Sequence, residues 1–246
     1  MHLSIITGAS RGLGRAVTVQ LLARGHQVLA LSRQAADLAV PAGAALTPWA
    51  VDLADAAPAA ARLASWLSDL DASRVQSATL INNAGVVSQP APLSEVTAAD
   101  LTQALRVGLE APMLLTAAFL KATGHWTAPR KVLLVSSGLG RRGMAGSASY
   151  CAAKAGMDNL ARAVALEEAG KSHGAAIVSL APGIIDTDMQ LQLRTADRRL
   201  FPEGARFADF KNGGQLDSPD TAATKLMRYL DRVDFGSNPV ADVRDA

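Results

Sequence analysis

The 246-residue chain is 49% hydrophobic and 19% charged, which provides material for a large core and excludes an intrinsically disordered chain. Its 24 basic and 22 acidic residues leave a formal charge of +2, without the clustered basic face of a dedicated nucleic-acid binder. A single cysteine, Cys151, excludes an internal disulfide framework, and no apolar run nears the roughly 18 residues of a membrane span.

The first strand is expected from Leu3, which leaves no room for a cleavable signal peptide and points to a cytoplasmic globular protein. Leu3-Ser4-Ile5-Ile6 runs into Thr7-Gly8, and from Leu13 to Leu22 the apolar residues take helical spacing. Arg24-Gly25 then marks a turn before the run Gln27–Leu31. Strand, glycine-rich turn, helix and strand within about 30 residues make one βαβ unit. The alternation continues with strands near Leu46–Val51, Ala78–Ile81, Val132–Ser136 and Ala175–Leu180. Helices are predicted near Pro58–Leu70, Thr97–Lys121 and Ser147–Ala169, followed by Ser218–Leu230 and a short strand near Val240. Continuously apolar strands in this rhythm imply an α/β fold, a doubly wound parallel sheet covered on both faces, as one domain over 1–246. Residues 188–216 break the rhythm and carry no strand pattern; a substrate loop is expected there, acting as a mobile lid over the carboxyl edge of the sheet.

Thr7-Gly8-Ala9-Ser10-Arg11-Gly12-Leu13-Gly14 places glycines where a strand turns into a helix. Such a turn lets the backbone approach a pyrophosphate, which the helix N-terminus attracts. The second strand ends in Leu31-Ser32-Arg33-Gln34, with no acid until Asp37. An acid near this point would hold a ribose 2′-hydroxyl, whereas Arg33 suits a 2′-phosphate, and Arg11 adds a cation; NADPH is therefore the expected cofactor. Asp52, in Val51-Asp52-Leu53, is placed either to accept a hydrogen bond from the adenine amino group or to cap a turn.

Tyr150 and Lys154 lie four apart on one helical face, and Ser137, thirteen residues before Tyr150, falls at the carboxyl end of the fifth strand. Reducing a carbonyl requires a hydride donor and a proton donor at the oxygen. A free tyrosine, with pKa about 10, is a sluggish acid–base near neutrality, and a neighbouring ammonium corrects this by stabilising the phenolate. Ser137 is placed to hold the carbonyl oxygen near Tyr150.

With Thr7–Gly14, Asp52-Leu53, Asn82-Asn83-Ala84-Gly85, Ser136-Ser137, Tyr150 with Lys154, and Pro182-Gly183 followed by Thr187, the chain resembles the short-chain dehydrogenase/reductase family over nearly its whole length. The resemblance implies a Rossmann-type fold, Asn83 beside the adenosine ribose, and Tyr150 as proton donor. It also implies Lys154 on the nicotinamide ribose, and Thr187 with the backbone near Ile185 on the carboxamide. Tyr150-Cys151-Ala152, Ala165-Leu166-Glu167-Glu168 and Asp186-Thr187-Asp188-Met189-Gln190 are similar to sepiapterin reductases and bacterial reductases of benzil-type diketones. That closer likeness makes Asp242 a candidate anchor for a pterin ring. The family's Val-Asn-Leu run, whose Asn positions a proton-relaying water, reads Val107-Gly108-Leu109 here. Water is expected to substitute for the missing side chain, leaving the natural chain active beside a Gly108→Asn variant.

His2, His26, His125 and His173 are scattered, so no metal site is expected. Cys151 reads as a packing residue, Arg141-Arg142 as a solvated loop, Trp49 and Trp66 as packing residues and Trp126 as a loop residue. Leu139, Met144 and Met189 are candidates for contact with substrate. The leading expectation is an NADPH-dependent carbonyl reductase acting on a small dicarbonyl, either a pterin side chain or a diketone. Its alternatives are a 3-oxoacyl-thioester reductase and a non-catalytic NADPH-binding sensor. Ala-rich helices at 97–121 and 147–169 suggest a homodimer or homotetramer, with no nucleic-acid or membrane partner.

Overall fold

The structure, a computed structural model, describes residues 1–245. Its strands are β1 (His2–Thr7), β2 (Gln27–Ser32), β3 (Ala45–Ala50), β4 (Ser77–Asn82), β5 (Arg130–Val135), β6 (Ala176–Ala181) and β7 (Val240–Asp242). They form one sheet in the order β3-β2-β1-β4-β5-β6-β7, with every neighbouring pair parallel. The helices are α1 (Gly12–Ala23), α2 (Ala56–Ser68), α3 (Ala98–Leu105), α4 (Ala111–Thr123), α5 (Ala148–Ala169), α6 (Asp188–Arg194), α7 (Gly204–Asn212) and α8 (Pro219–Leu230). No helix among the described residues is long and apolar enough to cross a membrane.

Period-two alternation divides the interior between two faces. Leu3, Ile5, Leu29, Leu31, Leu80 and Leu134 enter a core with residues of α2, α4 and α5. Ile6, Val28, Ala30, Ile81, Leu133 and Val135 enter a second core with residues of α1 and α8. Each fully buried Leu or Ile stabilises by about 1.5–3 kcal/mol relative to exposure, so both faces of the central strands hold the sheet in place.

Three expectations change. The third strand is not covered on both faces: β3 is an edge strand, and of its residues only Trp49 is buried. Pro48 fits such an edge, where no second neighbour requires its missing N–H. The helix expected over 97–121 is interrupted by a π-helical turn at Arg106–Glu110. Pro112 lacks the N–H that would bond the Gly108 carbonyl in a regular α-helix, and its ring crowds that carbonyl, so the turn widens. The excursion at 188–216 is partly helical, holding α6 and α7, rather than a plain loop. Phe201 is fully buried within it and stacks on Phe207, while a parallel bridge from Ile185 to Asp217 ties its two ends together.

Candidate active site at the carboxyl edge of the sheet

The strand order reverses at the junction of β1 with β4, and the crevice beyond their carboxyl ends is where open α/β sheets bind ligands. Two residues join these ends. Thr7 Oγ1 accepts from the backbone N–H groups of Asn83 and Ala84, both at 2.9 Å, and Asn83 Nδ2 donates to the Thr7 carbonyl at 2.9 Å. Gly8 turns the chain at φ +71, a conformation that favours glycine. A Cβ at Gly14 would stand 2.2 Å from the Gly8 carbonyl oxygen, so the first turn of α1 lies directly on the glycine loop. Arg11, at the N-cap of α1, makes no side-chain cap, and the first turn carries no acid. The leading N–H groups are therefore suited to an anion, and these residues fit a dinucleotide pyrophosphate.

Gly12 faces Thr187, whose Cγ2 would lie 3.4 Å from a Cβ placed there. The turn Pro182-Gly183, with Gly183 at φ +86, thus returns the chain from β6 to the glycine loop, and Thr187 stands at the N-cap of α6. Ile185 is held by its bridge to Asp217. Ser10 is half-buried in the glycine loop, and Leu13 is buried at the start of α1. Arg33 and Gln34 follow β2 and are exposed, with the turn closed by Ser32 Oγ donating to the Gln34 carbonyl. Arg11 is not a free second cation: its Nη1 pairs with Asp188 Oδ2 at 2.8 Å. Both partners are exposed, so that pair is worth at most about 1 kcal/mol and exchanges readily. Asp52 caps a short 3-10 turn through Ala54 N–H at 2.9 Å, with Leu53 buried beside it.

On α5, Tyr150 and Lys154 sit one turn apart, with Lys154 Nζ 5.5 Å from the centre of the Tyr150 ring. Lys154 is only 4% exposed, and its Nζ donates to the Val135 carbonyl at 2.7 Å, just before Ser136-Ser137. The Ser137 side chain lies beside the Tyr150 phenol. Burial pushes the Tyr150 phenol up to about 12, with the neighbouring Ser137 hydroxyl opposing. Burial draws Lys154 down to about 8, with the Asp158 carboxylate opposing. Near neutrality the set therefore holds an un-ionised phenol beside an ammonium. That is the protonation state for giving a proton to a carbonyl oxygen.

The π-helical turn brings Gly108 against this helix: a Cβ at Gly108 would stand 3.1 Å from the Ala153 Cβ, next to Lys154. The glycine thus serves close packing, and an Asn side chain at 108 would crowd Ala153. Among the substrate candidates, Leu139 is buried in the loop between Ser137 and Tyr150, while Met144 and Met189 are half-buried.

Asp242 does not present a free carboxylate. It is 5% exposed, and both oxygens accept from Arg244, at 2.8 and 2.6 Å, with Arg141 Nη1 at 3.8 Å. Its carboxyl is held below the usual range, first by the Arg244 hydrogen bonds. These contacts form an internal clamp on the C-terminal segment. Arg141 likewise is no solvated loop charge, since it donates to the Ala241 carbonyl at 2.6 Å. Trp126 follows α4 in a loop, yet is buried. Trp49 is buried and packs edge-to-face with Trp66. Among the described residues no group of three or more His, Cys, Asp or Glu could hold a metal ion. The residue that reading the sequence missed is Asp158, a buried acid on α5 one turn beyond Lys154. An acid spaced i+4 from Lys154 on the buried face of a helix was the available signal.

A doubly wound sheet that carries a serine hydroxyl, a phenol and an ammonium beside an uncapped glycine-rich helix start defines an oxidoreductase acting on CH–OH or C=O groups. The family model described as short chain dehydrogenase matches residues 3–198, and the chain belongs to that family. It is 34% identical over 232 residues to a benzil reductase ((S)-benzoin forming) of Bacillus subtilis (strain 168), covering 94% of each chain. It is 30% identical to a sepiapterin reductase of Xenopus tropicalis, covering 99% of this chain and 96% of that one. The solved KRED1-Pglu enzyme superimposes with a TM-score of 0.82 at 25% identity, covering 98% of this chain and all of that one.

Proposed function

We propose that the chain is an NADPH-dependent carbonyl reductase of small dicarbonyls, a benzil-like diketone or a sepiapterin-like pterin side chain. The observation that carries this reading is the Tyr150 phenol one turn from the buried Lys154 ammonium on α5, with the Ser137 side chain beside it. The bound nicotinamide supplies the hydride. Tyr150 gives its proton to the developing alkoxide, Ser137 donates a hydrogen bond that holds the same oxygen, and Lys154 stabilises the phenolate left behind. Gly8, Ser10, Gly12, Leu13 and Gly14 cradle the pyrophosphate, and Thr187 with the Ile185 backbone holds the carboxamide. Leu139, Met144 and Met189 form the substrate wall. Exposed Leu105, Met113 and Leu166 on α3, α4 and α5 support a homodimer or homotetramer packed through these helices.

Oxidation of NADPH in the presence of benzil, aliphatic diketones, sepiapterin and a 3-oxoacyl thioester tests the reading. Turnover is expected on the diketones or the pterin, and on the thioester least. Tight NADPH binding with no turnover on any carbonyl would make the chain a sensor instead.

Arg33 is the residue on which the cofactor choice rests. Replacing it in Arg33→Asp removes a charge-assisted partner of the 2′-phosphate, worth about 1.5–3 kcal/mol, and installs an acid suited to a ribose hydroxyl. The KM for NADPH is expected to rise roughly ten- to hundredfold while that for NADH falls or holds. Parallel initial-rate measurements with the two cofactors check this, and an unchanged ratio rejects the assignment.

A further inference from the structure

The buried carboxylate of Asp158 has no part in the proton transfer described above, yet it touches every segment that presents the reacting groups. Asp158 is 2% exposed, and its Oδ1 accepts from Ser136 Oγ at 2.7 Å and from Ser179 Oγ at 2.6 Å. Ser136 precedes Ser137 at the end of β5, and Ser179 lies in β6. Its Oδ2 has no hydrogen bond and stands 3.5 Å from Arg141 Nε. The loop between Ser137 and Tyr150 presses directly on this oxygen, because a Cβ at Gly140 would come within 2.8 Å of it. Tyr150, Lys154 and Asp158 follow one another at intervals of four along α5 and so share one helical face. The charged groups around the carboxylate are Lys154 on its own helix, Arg141 from the loop and, beyond Arg141, Asp242 with Arg244.

We propose that Asp158 is a positioning residue of the active site, fixing Ser137 in register with Tyr150 and supplying the buried counter-charge one turn behind Lys154. A buried charge is costly unless it is paired, and apolar packing of the same volume is often at least as stable. Core stability alone would therefore favour a leucine here. What the carboxylate adds is a shared acceptor for one hydroxyl just past the end of β5 and one in β6, which holds the end of β5, and Ser137 with it, against α5. The opposing effect of its charge on Lys154 has the direction that keeps the ammonium protonated in a dry site. The proposal deepens the carbonyl-reductase reading and rests on it for its kinetic effect, while the effect on Lys154 does not require turnover.

Three variants of the full chain test it: Asp158→Asn, Ser136→Ala and Ser179→Ala. In Asp158→Asn the midpoint at which Lys154 loses its proton, followed by NMR of 13Cε-labelled lysine, is expected to fall by about one pH unit. The decline of the reduction rate with rising pH should move down with it. In Ser136→Ala that midpoint should hold while kcat drops about tenfold or more and NADPH affinity stays within about twofold, because a small displacement of Ser137 suffices. A Lys154 midpoint unmoved in Asp158→Asn overturns the proposal, as do wild-type kcat values in both serine variants. If Asp158→Asn fails to fold, the serine variants decide through their split between kcat and NADPH affinity. A wild-type chain inert on every carbonyl would sink the reductase reading, and the Lys154 midpoint would then decide the role of Asp158.

Discussion

Tyr150→Phe is expected to lower kcat for carbonyl reduction by about 10²–10⁴-fold while leaving NADPH binding within about twofold. The substitution removes one oxygen and keeps the ring that Lys154 Nζ approaches at 5.5 Å. It removes the hydroxyl placed beside Ser137 to hand a proton to a carbonyl oxygen. Lys154 cannot take over that task at short range, since its Nζ is tied to the Val135 carbonyl. Losing one partly buried hydroxyl alters stability by about 1 kcal/mol at most, a shift in Tm of about 2–4 °C for a chain this long. A loss of activity with an intact fold and intact NADPH binding therefore isolates the proton transfer. Stopped-flow measurement of NADPH oxidation beside fluorescence titration of the cofactor separates the two. A kcat within tenfold of wild type would place the proton donor elsewhere.

The parts of this site that were legible in the sequence are those whose meaning is local. Glycines 8, 12 and 14 fall where a strand becomes a helix, and Tyr150 and Lys154 need only a helical repeat to meet. The central strands were legible because both of their faces are buried, so their runs are continuously apolar; β3 was misjudged because an edge strand can carry the same residues with one face open. The widened turn at 106–110 has a local cause, Pro112 four residues after Gly108, but the rest of the segment is periodic enough to conceal it. Long-range electrostatics were not legible. Asp242 is held mainly by Arg244, two residues on, and Arg141, about a hundred residues away, reaches it only once β7 has joined β6. Asp158 offers a local signal in its i+4 spacing from Lys154, but its partners do not, since Ser136 just past β5 and Ser179 in β6 stand 22 and 21 residues from it.

Gly14→Ala is expected to abolish cofactor binding and to lower stability, although the same substitution in an open helix would stabilise by about 1 kcal/mol. The added methyl would sit 2.2 Å from the Gly8 carbonyl oxygen and 2.5 Å from Asn83 Nδ2. The first neighbour is backbone in the glycine loop. The second is the amide that fastens β4 to β1 through the Thr7 carbonyl. Neither can retreat without opening the junction at which the strand order reverses. Overpacking of this kind costs about 1–3 kcal/mol, so the balance with helix propensity is a net loss and Tm falls by several degrees. The larger effect is on binding: parting α1 from the glycine loop moves the helix N–H groups away from the pyrophosphate, and affinity for NADPH should drop by about 100-fold or more. Gly170→Ala is the control, because a Cβ there meets nothing within 4 Å and the backbone conformation is ordinary. Calorimetry and cofactor titration of the two variants make the comparison. A Gly14→Ala chain that melts higher than wild type and binds NADPH as tightly would show that α1 and the glycine loop do not close upon each other as described.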